Sequence, residues 1–148
     1  MKVALLDVNV LVALAWPNHV HHEFAHAWFA ANQRHGWATC PVTQSGFVRV
    51  SSNSHVIPEA RTPREAIRLL RQIVAFRGHV FWSDDTSLAH SKFVAVERLV
   101  GHGQVTDAHL LALALRRDGR LATFDKGVSA LSPAGAPGAV VVLAGAAA

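Results

Sequence analysis

At 148 residues and 15.9 kDa, with 51% hydrophobic and only 16% charged side chains, the chain has the length of one domain and the apolar content for a core, which excludes a disordered chain. Fourteen basic against ten acidic residues leave a formal charge of +4, and most of the basic residues are Arg, a balance that suits a polyanionic partner. Cys40 is the only cysteine, so a disulfide scaffold and a Cys-based zinc site are both excluded.

Val3 to Leu6 is a short, continuous apolar run of the kind that forms a strand buried on both faces, and Asp7 falls at its C-terminal end. The apolar density continues from Val8 to Ala15 and is interrupted at Trp16-Pro17-Asn18. This stretch superficially looks like an export signal, but Asp7 and Asn9 break it, and no run approaches the ~18 apolar residues of a membrane span. A cytoplasmic protein without membrane association is therefore expected. A second helix is predicted from Asn18 to about His35, with Phe24, Ala25, Trp28 and Phe29 at helical spacing and Gly36 as its stop.

Trp37 to Cys40 reads as a second strand closed by Pro41, Val42 to Val50 as a short helix, and Ser51 to Ser54 as a loop. Thr62-Pro63-Arg64-Glu65 is the clearest helix start, with Thr62 at the cap and Glu65 placed to reach back to it. Its apolar stripe is Ala66, Leu69, Leu70, Ile73 and Val74. Val80 to Trp82 forms a third strand, and Ser83-Asp84-Asp85 caps a predicted helix over Thr86 to Val96. After a break at Gly101 to Gly103, a Leu-rich helix runs from Thr106 to Arg117 and ends at Asp118-Gly119. Arg120 to Thr123 and Ala139 to Leu143 are the last two strands, and an Ala/Gly-rich tail follows. Strands that alternate with helices and are uniformly apolar predict an α/β fold: one domain with a central parallel sheet flanked by helices.

In an open parallel sheet, ligands bind outside the carboxyl ends of the strands. Asp7 and Asp125 each follow a strand, and Asp107 lies in the first turn of the Leu-rich helix, so three distant carboxylates can converge on one sheet edge. Converging carboxylates repel unless a cation lies between them, and a hard divalent ion such as Mg²⁺ or Mn²⁺ suits oxygen ligands. Each acid also has a plain local role: Asp107 as a helix-start residue, Asp7 and Asp125 as turn or cap residues. Asp84 and Asp85 are explained by capping.

Three segments then resemble the motifs of PIN-domain ribonucleases, specifically the VapC-type toxins of toxin–antitoxin pairs. They are Leu5-Leu6-Asp7-Val8-Asn9-Val10-Leu11, Thr106-Asp107-Ala108-His109-Leu110 and Thr123-Phe124-Asp125-Lys126-Gly127. Trp16-Pro17-Asn18-His19 and the segment from Pro41 to Arg49 are similar to a mycobacterial-type branch of that family. The resemblance implies a single PIN-like domain over 1–143, with 144–148 as tail, and a metal-dependent endoribonuclease, dimeric and silenced by a cognate antitoxin. It implies Asp7 as first metal ligand, Asp107 as the principal second one and Asp125 as the acid completing the pocket. Asn9 positions Asp7 or a metal-bound water, and Thr123 is a supporting hydrogen-bonding residue. Where many members carry Glu, this sequence has Gln44, whose amide can coordinate or accept a hydrogen bond but cannot act as a base. That departure supports a second reading, a binding module of the same fold with weakened or lost catalysis.

His22-Glu23-Phe24-Ala25-His26 matches H-E-x-x-H, the helix of zinc proteases. No third ligand is evident and Phe29 stands where the extended motif needs Gly, so inward packing of the apolar positions explains this helix better and leaves both His toward solvent or a partner. Arg64, Arg68 and Arg71 mark the polar face of their helix, a solvated face or a contact for RNA phosphates or acidic antitoxin side chains. Trp16, Trp37 and Trp82 are candidates for stacking on single-stranded bases, with core packing the alternative.

Overall fold

The computed structural model describes residues 1–143; the predicted tail at 144–148 lies outside the described residues. Five strands form one sheet: β1 (Ala4–Leu6), β2 (Trp37–Thr39), β3 (His79–Phe81), β4 (Arg120–Thr123) and β5 (Val140–Val142). They lie in the order β3-β2-β1-β4-β5 and every pairing is parallel. The helices are α1 (Val8–Ala15), α2 (His22–Asn32), α3 (Pro41–Ser51), α4 (Pro63–Val74) and α5 (Val105–Arg116). The expected α/β architecture is the one observed.

Alternation along the central strands divides the core between two faces. Ala4, Leu6, Trp37 and Ala122 join Val10, Leu11, Phe47, Leu70 and Ile73 on the side of α1, α3 and α4. Leu5, Ala38 and Leu121 join Leu110, Leu111, Leu113 and Trp82 on the side of α5. Because β1 is covered on both faces, its three residues are all apolar and all buried.

Two glycines permit close approaches that no side chain would. A Cβ on Gly46 of α3 would stand 2.6 Å from Cγ2 of Val8, and one on Gly119 would stand 2.7 Å from the carbonyl oxygen of Val3. Asp118 adopts a left-handed conformation, φ 53°, as α5 turns into β4.

The structure corrects four sequence expectations. Helix α2 starts at His22, not Asn18, because residues 17–21 form turns and the Asn18 side chain donates to Glu59 rather than capping a helix. Pro41 opens α3 instead of merely closing β2: its missing N–H costs nothing at a first helical position, and the Thr43 hydroxyl accepts from the Cys40 amide at 2.9 Å. β3 begins at His79, one residue earlier than predicted. The helix predicted over Thr86 to Val96 does not form. Ser87 and Ser91 accept from the amides of Ala89 and Phe93, local bonds that compete with a helix, and only a short 3₁₀ turn follows at Val96–Arg98.

Candidate active site at the carboxyl edge of the sheet

The strand order reverses direction between β1 and β4, which makes their carboxyl ends a topological switch point. Asp7 is the residue after β1, and Thr123 closes β4 with Asp125 two residues beyond. The register of the two strands, Leu6 opposite Ala122, brings these positions together.

Asp7 caps α1: its Oδ1 accepts from the Val8 amide at 2.7 Å, while its Oδ2 accepts from the Thr123 hydroxyl at 2.7 Å. The Thr123 oxygen in turn accepts from the Asn9 side chain at 3.2 Å and from the Asp125 amide at 3.1 Å. Asn9 closes the ring by accepting from the Phe124 amide. Asp125 is tied down by the Gly127 amide at 2.8 Å. The cap role considered for Asp7 and Asp125 is therefore real, and it is the cap bonds that fix the orientation of both carboxylates.

Burial pushes the Asp7 carboxyl above the usual range; hydrogen bonds from Thr123 and Val8 oppose that rise, and the charge of Asp125 adds to it. Asp107, in the first turn of α5, is pushed up to about 6 by partial burial and then by the charges of Asp7 and Asp125. The three predicted acids thus share one electrostatic environment, with repulsion that a cation would relieve.

No three His, Cys, Asp or Glu side chains among the described residues are gathered into a ready-made metal cage. The donor set nevertheless fits a hard ion. It is all oxygen, each Asp7 oxygen uses one hydrogen bond and keeps a further acceptor position, and Mg²⁺ is ordinarily held by one or two carboxylates with its remaining positions filled by water.

Gln44 stands one strand away. Its amide donates to the Thr39 hydroxyl at 3.0 Å, and Thr39, at the end of β2, is joined to His79 at 2.7 Å. Gln44, in the first turns of α3, is thereby tethered to the carboxyl end of β2, the strand beside β1.

The inward packing expected of the H-E-x-x-H helix is observed, with Ala25 buried and Phe24, Trp28 and Phe29 against the core, and its two histidines have a use that neither reading offered. His22 donates through Nδ1 to the carbonyl of Ala13 at 2.7 Å, and His26 donates through Nε2 to that of Leu14 at 2.8 Å. Neither faces solvent alone: they satisfy carbonyls in the last turn of α1 that have no partner within that helix. All three candidate tryptophans belong to the core. Trp16 donates to Ser51, Trp37 to the carbonyl of Arg77, and Trp82 lies buried beneath α5. Arg64, Arg68 and Arg71 are exposed.

Sequence reasoning missed one pair. Asp84 accepts from the Thr86 amide in a local turn, with no helix after it to cap, and its other oxygen accepts from Nε2 of His109 at 2.5 Å. His109 stands two residues after Asp107, so this pair fastens the segment after β3 to the helix that carries the acid. A histidine inside the Leu-rich run was the available signal.

Residues 4–132 match the PIN domain family. The chain belongs to that family and, within it, to the VapC group. It is 54% identical over 130 residues to ribonuclease VapC38 of Mycobacterium tuberculosis, covering 88% of this chain and 90% of that protein. To ribonuclease VapC39 of the same species it is 48% identical over 140 residues, covering 95% and 99%. Among solved structures, PAE2754 from Pyrobaculum aerophilum shares the fold with a TM-score of 0.59 at 20% identity, covering 94% of this chain and 83% of that one.

Proposed function

We propose that the chain is a metal-dependent endoribonuclease acting as the toxin of a toxin–antitoxin pair, with Asp7, Asp107 and Asp125 as its working carboxylates. The reading is carried by one observation: Asp7 and Asp125 follow the two strands that flank the switch point and are linked through one Thr123 hydroxyl. Relatives bearing the name ribonuclease VapC over nearly their whole length support it.

Asp7, Asp107 and Asp125 would hold Mg²⁺ or Mn²⁺. A divalent ion there supplies charge neutralisation at a phosphodiester and a water acidified for attack. The chain's own contributions are positional. Thr123 and the Val8 amide keep Asp7 in one orientation, Asn9 keeps the β4 turn closed against α1, and the Gly127 amide keeps Asp125 at the rim. Asp107, with its proton affinity raised to about 6, stands among these acids at the start of α5. The antitoxin partner and a homodimer belong to the same proposal, as does a cytoplasmic location; no helix among the described residues is long and apolar enough to cross a membrane.

The test is cleavage of single-stranded RNA by purified Asp7→Asn and Asp107→Asn, paired with calorimetric titration of Mn²⁺. Both variants should fold, lose cleavage and lose most of the manganese heat. Full cleavage by either variant sinks the assignment. The second reading, a PIN-fold binding module with weak or absent catalysis, draws on Gln44, an amide where the resemblance to the family leads one to expect a carboxylate. It predicts RNA binding without turnover by the unaltered chain.

A further inference from the structure

On the far side of α5 from its Asp107 end, the irregular segment after β3 encloses a cleft of about 340 Å³. Three hydroxyl-bearing residues, Thr86, Ser87 and Ser91, line it. Thr86 Oγ1 is buried with no hydrogen-bond partner, which is costly for a polar atom unless a ligand or water satisfies it. Ser87 and Ser91 line the same cleft, and because their oxygens already accept from the amides of Ala89 and Phe93, their O–H groups are free to donate inward.

Basic side chains line the same cleft. Lys92 forms no ion pair among the described residues, and exposed His90 stands beside it. Arg116 also reaches the cleft, held there by Asp85, whose two oxygens accept from its Nε and Nη2 at 3.0 Å each. Asp85 is therefore spent on Arg116 and, at 3.8 Å, on Arg117, whereas Lys92, whose Nζ stands over the Phe93 ring at 5.2 Å from its centre, has no carboxylate partner among the described residues. Half-buried Phe93 supplies an aromatic wall.

We infer that this cleft is a second RNA contact, in which a phosphodiester is bound by Lys92 and the hydroxyls of Thr86, Ser87 and Ser91 with an adjoining base against Phe93. Cationic groups joined to an aromatic platform are the combination that binds single strands without reading their sequence. The cleft's Arg116 and the site's Asp107 are carried by the same helix, about 14 Å apart along α5, a span that a few nucleotides cover. Asp84 and His109 pin the intervening segment to that helix. The inference rests on the ribonuclease reading for the identity of its ligand as RNA, while the anion chemistry of the cleft stands on its own residues.

The probe is a 2′-O-methyl oligonucleotide of eight residues, titrated by fluorescence anisotropy against the full chain at several salt concentrations in the presence of EDTA, which withholds the divalent ion that cleavage by an activated water requires. Lys92→Ala combined with Ser91→Ala should weaken binding about five-fold and lower the salt slope by about one. Thr86→Val, which removes the unpartnered hydroxyl at nearly constant volume, should weaken binding without lowering the melting temperature. Unchanged affinity and salt slope in both variants overturn the proposal. Inorganic phosphate that shifts the amide resonances of 86–93, while oligonucleotide affinity stays the same in the variants, also overturns it and marks a small-anion site. A chain that binds the probe through this cleft but leaves native RNA intact keeps this site and removes the ribonuclease reading.

Discussion

The hydroxyl of Thr123 donates to Oδ2 of Asp7 across 2.7 Å while accepting from the amide of Asp125 and the side chain of Asn9. One oxygen thus sets the mutual placement of two strands' worth of site residues. Thr123→Val removes it at similar volume, leaving the buried Asp7 a bond short, and we expect a loss of about 1–3 kcal/mol in unfolding free energy at pH 7. Thr123→Ser should recover most of the loss. Urea unfolding of the three proteins, alongside RNA cleavage, checks both statements; equal stability of Val and wild type would remove Thr123 from its organising role.

Asp107 carries a pH signature. Its folded-state pKa, about 6, lies above the unfolded value of an ordinary aspartate, so the folded chain binds its proton more tightly. The associated stability is complete below about pH 4 and is lost as the pH rises through 6. In metal-free solution, Asp107→Asn should abolish this fall and melt higher than wild type at pH 7.5, by about 1 kcal/mol once solvent screening of a half-exposed group is allowed for. Mg²⁺ should raise the wild-type melting temperature more at pH 7.5 than at pH 5. Melting curves across that range, with and without metal, decide the matter.

Gln44→Glu adds a fourth carboxylate at the carboxyl edge. The Thr39 hydroxyl can turn to donate to it, since a Glu cannot donate as the amide does. Tighter Mn²⁺ binding, by about three- to ten-fold, is expected together with lower metal-free stability and cleavage at least equal to wild type. Calorimetry on the two proteins with identical affinities and identical melting would place Gln44 outside the site.

Removing either imidazole cap of α1, by His22→Ala or His26→Ala, should cost about 1 kcal/mol, the worth of a hydrogen bond to an otherwise unpaired carbonyl. RNA cleavage at a temperature where both variants remain folded should be unchanged. Stoichiometric zinc in the wild type, lost with activity in the double variant, would contradict this use of the motif.

Gly46→Ala should destabilise by about 1–3 kcal/mol through the clash with Val8, next to Asp7, and should impair cleavage as the start of α1 shifts. Val8→Ala in the same chain should restore stability beyond the sum of the two single effects. Strict additivity in that double-mutant cycle would refute the contact.

Much of this was legible in the sequence because it is local. An apolar run ending in Asp7 announces a buried strand and the cap that follows it, and the Thr62 to Glu65 box announces α4 with its hydrogen bonds as expected. The residues from Thr86 to Val96 misled because a cap signal at Ser83 to Asp85 carries no information on whether serine side chains further on will hold the backbone in turns. The bonds from α2 histidines to α1 carbonyls, and that from His109 to Asp84, join residues distant in the chain, and spacing within one segment cannot reveal them. Gln44 stood out in the sequence only as an amide where the resemblance leads one to expect Glu; its tether to Thr39 and His79 depends on β2 and β3 being neighbours.

The central position of β1 has a consequence for synthesis. Its first neighbour, β2, arrives within about one helix-loop-helix of chain, but its other neighbour is β4, and the hydroxyl that orients Asp7 is 116 residues downstream of it. A growing polypeptide therefore carries Asp7 from the outset yet lacks two of its three acids and the bond that steers the first until almost the whole domain has emerged. Contacts of such long sequence separation form late and slowly. Any chemistry the pocket performs is withheld from truncated products and from the nascent chain, so that completion of the last third of the domain acts as the step that assembles it.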